Sequence, residues 1–138
     1  MLLSKDEDFA FETVLSTSRN LELLREAKQR GYFIKCYYML TADPAINVAR
    51  VKLRAMSGGH DVPTDKIIKR YYRACKLLPE LITLCDICHI YDNSLTPYRI
   101  FKKRKNELFY DPKSEFWNRA SIFRLCGVSE AKEKNLNY

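Results

Sequence analysis

Two short apolar runs constrain the fold of this sequence more than any other feature. YFIKCYYML, residues 32–40, holds one lysine, and ICHIYDN, residues 87–93, ends on Asp92 and Asn93. Runs of this length, rich in aromatic and β-branched side chains, read as strands, and the nearly continuous first run reads as a central strand covered on both faces. The segment between them has helical spacing. Asp43 before Pro44 is an N-cap followed by a residue suited to the first helical turn, and Ile46, Ala49, Leu53 and Met56 form one apolar stripe. Gly58 and Gly59 end that helix. From Thr64 a longer helix carries Ile67, Ile68, Tyr71 and Leu78, then Leu81 and Leu84 beyond a kink expected at Pro79.

The flanking segments extend the pattern. FAFETVLS alternates as a strand does before reaching polar residues at Glu12. Ser16, Thr17 and Ser18 offer N-caps to a helix with Leu21, Leu24 and Ala27 on one face, ending at Gly31. Residues 98–110 read as a β-hairpin turning near Asn106, and SEFWNRASIFRL reads as a short helix packing Phe116, Trp117, Ile122 and Phe123. The final SEAKEKNLNY is polar enough to fray. This order predicts one α/β domain over residues 1–138, with a mostly parallel sheet, flanking helices, right-handed crossovers and a C-terminal β-hairpin. Sites in such sheets form at the C-terminal strand ends, where Glu12, Thr41 and Asp92 fall.

Charge narrows the function classes. A net charge of +7 favours an anionic ligand or partner. Between positions 50 and 76 stand eight lysines and arginines against two aspartates. Arg50 and Arg54 share one helix face; Lys66, Lys69, Arg70, Arg73 and Lys76 crowd the next helix, and the Gly-Gly turn joins the two as a flap able to close on a polyphosphate. A solvated helix face is the plainer reading of the same residues. His60, in that turn, either donates to a phosphate or holds the turn in shape. Glu12 either orients a substrate hydroxyl or metal-bound water, or pairs with a lysine. Lys102 to Lys105 resemble a nucleic-acid or targeting patch, although charge at a hairpin tip equally protects strand edges.

No apolar run approaches the roughly 20 residues of a membrane-spanning helix, and the N-terminus meets acids at once, so a cytoplasmic protein without membrane attachment is expected. The five cysteines then read as free buried thiols. CDICH, residues 85–89, has the spacing of covalent haem attachment, but it runs into a stiff strand in a chain expected to stay inside the cell. A closed zinc site needs four ligands, and the second histidine is His60, so no metal site is assigned. No Ser-His-Asp or Cys-His nucleophile arrangement stands out.

FAFETVLS, AKQRGYFIKCYYML, NVARVKLRAMSGGHDVPTDKIIKRYYRACKLLP and IYDNS occur in that order. Together, over residues 9–94, they resemble the zeta-toxin-like family of P-loop kinases and ATPases. The resemblance implies a three-layer α/β kinase fold, ATP with magnesium as cofactors, and a phosphate acceptor, which for zeta toxins proper is an amino-sugar nucleotide. It also implies a toxin–antitoxin context. On this resemblance Glu12 matches the acidic residue after the substrate-side strand, and Arg50 the arginine that reaches the transferring phosphates. Residues 58–63 match the lid. Arg54, His60, Arg70 and Tyr71 fall in the same nucleotide-binding module, and Asp92 and Asn93 match a strand-end motif near the base.

One departure limits the inference. The glycines are Gly31, Gly58, Gly59 and Gly127, none followed by lysine, so the Gly-x-x-x-x-Gly-Lys-Ser/Thr phosphate loop is missing from these residues. Without its amides, lysine and magnesium-binding hydroxyl the chain is expected to be an inactive, truncated C-terminal portion of such a kinase. The phosphate-loop strand would lie between FAFET and YFIKCYYML. Direct pairing of those two, a homodimer or strand-swapped dimer, or another chain supplying the missing half is therefore expected. The alternative from a different class is a non-catalytic basic module that binds nucleic acid or an anionic protein partner.

Overall fold

A computed structural model describes residues 19–138; FAFETVLS and Glu12 lie outside the described residues. The chain forms α1 (Arg19–Gln29), β1 (Lys35–Leu40), α2 (Pro44–Met56), α3 (Thr64–Leu84), β2 (Ile87–Asp92), β3 (Tyr98–Arg104), β4 (Glu107–Tyr110), α4 (Arg119–Cys126) and β5 (Lys132–Glu133). The strands make one sheet in the order β1-β2-β3-β4-β5. The α/β class stands, but the sheet is mixed rather than mostly parallel: β1–β2 and β4–β5 pair parallel, β2–β3 and β3–β4 antiparallel. The antiparallel half is the expected hairpin. It turns at Lys105, whose φ of 54° is left-handed, and Asn106, and is pinned by Lys105 N–H donating to Asp86 O at 2.7 Å.

Helix α3 organises the core. Its Leu78, Leu81 and Ile82 are buried with Cys88 and Ile90 of β2 and Ile100 and Phe101 of β3. Helix α1 is fastened to it by a bidentate Arg25–Glu80 ion pair, and Lys28 reaches Asp86 at 2.7 Å. Asp86 also accepts from Ile34 N at 2.8 Å, which fixes the entry into β1. Helix α3 continues through Pro79. Pro79 also serves as a packing surface, because a Cβ on Gly127, the left-handed C-cap of α4, would meet it at 2.8 Å.

Three sequence expectations give way to long-range packing. Strand β1 is not covered on both faces: it is the outermost strand among the described residues, and Tyr37 and Met39 are 59% and 53% exposed while Cys36, Tyr38 and Leu40 face α3. Tyrosine is commonly only partly buried, so an apolar run rich in it need not be doubly buried. On α2 the Ile46–Ala49–Leu53–Met56 stripe is not the packing face, since Leu53 and Met56 are exposed and no residue of α2 is fully buried. The tail does not fray. Strand β5 adds to β4, Leu136 is 3% exposed, and Asn137 is bonded to Arg99 and Asp111.

The tail is held by Arg99, which donates to Leu136 O at 3.0 Å and 2.7 Å, and by the buried carboxylate of Asp111. Asp111 accepts from Leu136 N at 3.0 Å, Lys113 N at 3.1 Å and Asn137 Nδ2 at 3.1 Å. Burial by itself would push this carboxyl up, but the donors outweigh it and hold it below its ordinary 3.8. Its contribution is therefore present above that pH and is lost as acid protonates the folded carboxylate. We expect Asp111→Ala to cost about 2–3 kcal/mol in urea unfolding, with loss of amide protection confined first to Leu136 and Lys134. Gly127→Ala, which combines a left-handed backbone with the Pro79 contact, should cost about 1–3 kcal/mol, measured by the same titration.

Candidate functional site: an arginine-lined cavity

The C-terminal ends of β1 and β2 are tied to each other. Asn93 N donates to Leu40 O at 2.7 Å, Ala42 N to Ser94 Oγ at 2.9 Å, and Ser94 Oγ to Asp92 Oδ1 at 2.6 Å. Beside these ends α2 and α3 border a cavity of about 470 Å³, a volume within the usual range of ligand pockets. Asn47, Arg50, Val51 and Arg54 line it from α2, and Ile67, Arg70, Tyr71 and Ala74 from α3. Both sets recur at i, i+3, i+4 and i+7, so each helix presents one whole stripe to the cavity. That is why the apolar stripe of α2 faces outward: the opposite, polar stripe lies over the cavity.

The wall is built rather than incidental. Asp43 caps α2 by accepting from Ala45 N at 2.8 Å. The Thr41 hydroxyl is bonded to Asn47 Oδ1 and lies 3.1 Å from Asp43 O. The Tyr71 hydroxyl donates to Thr41 O at 2.7 Å, joining α3 to the end of β1. Burial pushes the Tyr71 phenol up, with Cys75 adding to the effect, and likewise pushes Tyr38 up to about 12, so both stay neutral. At the rim, the 58–63 turn is drawn to α2 by Lys52 Nζ donating to Asp61 Oδ1 at 2.8 Å and Val62 O at 3.1 Å. Gly59 N donates to Arg54 O at 2.7 Å, an approach a Cβ would obstruct at 2.8 Å.

Of the residues singled out from sequence, Arg50, Arg54, Arg70, Tyr71 and Asn93 line this cavity. His60 is exposed in the turn and does not line it. Asp92 is 2% exposed and turns to Ser94, bracing the strand ends without lining the cavity. Arg50 is partly committed, donating through Nη2 to Asn93 O at 2.6 Å and Ser94 O at 3.1 Å. Arg54 and Arg70 have no side-chain partner among the described residues, and no carboxylate lines the cavity.

A second cluster was missed by spacing. Cys36 of β1 sits opposite Cys88 of β2 in the parallel register, and Cys85 caps α3 three residues earlier. The three sulfur atoms lie within 4.8 Å of one another. Hydrogen bonds from Cys85 and then Cys88 hold the Cys36 thiol below its ordinary value, and the same sharing pushes Cys88 up. Only the β1–β2 register brings Cys36 in, and a parallel pairing of the two apolar runs was the one available signal. His89 does not join the cluster. It occupies the opposite sheet face, stacked on Tyr37 at 4.8 Å, with Nδ1 accepting from Arg99 Nη1 at 3.0 Å. Burial lowers it to about 4, with Arg99 adding to the effect. A haem bridging Cys85, Cys88 and His89 is incompatible with that alternation.

Comparison with known proteins adds little chemistry. No family profile matches the chain, and no solved structure matches it significantly. An uncharacterized protein of Haemophilus influenzae is 33% identical over 63 residues, which is 46% of this chain and 45% of that relative. The chain thus matches less than half the length of this relative.

The geometry separates two kinds of arginine. Arg50→Ala should destabilise the fold by about 1–2 kcal/mol, because two charge-assisted bonds to strand-end carbonyls are lost at a partly exposed position. Arg54→Ala and Arg70→Ala should leave stability within about 0.5 kcal/mol of the parent, all three read by chemical denaturation.

Proposed function

We propose that the cavity binds the phosphate groups of a nucleotide beneath the 58–63 lid, and that the chain is a zeta-toxin-like portion of a P-loop kinase lacking the phosphate loop. The observation that carries this reading is the convergence of Arg50, Arg54 and Arg70 on one cavity without a carboxylate among the described residues. Guanidinium groups fork onto phosphate oxygens, and these three side chains are exposed and so open to an incoming ligand. Tyr38, Val51 and Ile67 supply an apolar wall for a base or ribose. The lining offers magnesium no carboxylate, so a metal would enter as the counter-ion of the nucleotide. With no glycine-rich loop and lysine to hold the transferring phosphoryl group, these residues bind nucleotide without turning it over. The same reading leaves the outer edge of β1 for a further strand, from a second copy in a dimer or from a chain carrying the phosphate loop.

A second reading rests on the exposed face of α3, where Lys66, Lys69, Arg73 and Lys76 all reach solvent. That row suits a nucleic-acid backbone or an acidic protein. The two readings depend on different residues and different salt responses. We expect calorimetry at low salt to show ATP binding that weakens about tenfold in each of Arg54→Ala and Arg70→Ala, with no phosphate release. Binding of a single-stranded oligonucleotide that falls steeply with salt and needs Lys69 and Arg73 would favour the second reading. Absence of ATP binding, or binding indifferent to both arginines, would rule out the first.

A further inference from the structure

The geometry points to a thiophilic divalent cation, of the zinc class, bound by Cys36, Cys85 and Cys88. The three thiols come from separate parts of the chain: the first strand, the helix cap and the second strand. Their sulfurs lie within 4.8 Å of one another. A metal–sulfur bond of about 2.3 Å sets sulfurs about 3.8–4.0 Å apart in tetrahedral or trigonal geometry. Closing onto an ion therefore needs less than about 1 Å of movement, within the reach of side-chain rotation.

Two further features suit a cation rather than simple packing. Lys103 pairs opposite Cys88 across β2–β3, and its ammonium is pinned by donation to Ile82 O at 2.9 Å and Thr83 O at 3.2 Å, just before Cys85. Three thiolates around a divalent ion carry one net negative charge, which that fixed ammonium offsets in a buried setting. Cys85 and Cys88 are 1% and 0% exposed, but Cys36 is half-buried at the outermost described strand, which leaves a route for the ion. Three protein ligands leave the fourth position open to water or an external thiol or anion, the arrangement of reactive rather than closed zinc sites. Soft thiolates select zinc, cadmium and cuprous ions over magnesium or calcium. The site is separate from the arginine-lined cavity and does not depend on the nucleotide reading.

The test is titration of the reduced, chelator-treated chain with Cd(II), then competition by Zn(II). We expect one equivalent per chain, ultraviolet thiolate-to-cadmium charge-transfer absorption, a rise in melting temperature with added metal, and slower alkylation of Cys36. Cys36→Ala, at a half-buried strand position, should weaken Cd(II) binding by more than about 100-fold, beyond what loss of an outer partner does. Cys126→Ala, distant in sequence and outside the cluster, should bind as the parent does. The alkylation rate is measured on the parent chain and so does not depend on either variant folding. No stoichiometric uptake, uptake unchanged in Cys36→Ala, or Cys36 alkylation indifferent to metal would each overturn the assignment.

Discussion

The parallel register of β1 on β2 is the constraint on which the rest of the structure depends. It aligns Lys35 through Leu40 with Ile87 through Asp92. At its lower end this sets Cys36 beside Cys88; at its upper end it sets Leu40 beside Asp92, where the cavity opens. Because side chains alternate with a period of two, a slip of one residue would turn Cys36, Tyr38 and Leu40 away from α3 and expose them. The thiol cluster and the arginine-lined cavity are thus two ends of a single pairing.

That register is secured by bonds outside the ladder itself. Asp86, holding Ile34 N and Lys28, fixes the start of both strands. The Asn93–Leu40 and Ala42–Ser94 bonds and the Arg50 guanidinium fix their ends. Polar groups at strand ends are costly if left unpaired in a half-buried setting. Here the residues that satisfy them also shape the cavity wall, so the wall is organised by the fold itself.

Much of the local structure was legible. The Asp43–Pro44 cap, the end of α1 before Gly31, the hairpin at Asn106 and the apolar core of α3 follow from local periodicity and cap chemistry, which act over a few residues. The cluster of arginines was also legible as a charge run, and the structure brings Arg50, Arg54, Arg70, Tyr71 and Asn93 onto one cavity. Asp92 and His60 fall elsewhere, for a physical reason in each case. A buried aspartate at a strand end is taken by the nearest donors, here Ser94 N and Oγ, and a histidine after two glycines points into solvent.

The sequence by itself determined the helices and strands between residues 19 and 126 and how much positive charge the middle of the chain carries, because caps, glycines and apolar spacing act locally. Only the tertiary structure decided that α2 turns its Asn47–Arg50–Arg54 stripe to the cavity, that the polar tail docks on Asp111, and that Cys36 joins Cys85 and Cys88. Each of these depends on which distant elements meet, and strand pairing across some fifty residues leaves no trace in local periodicity.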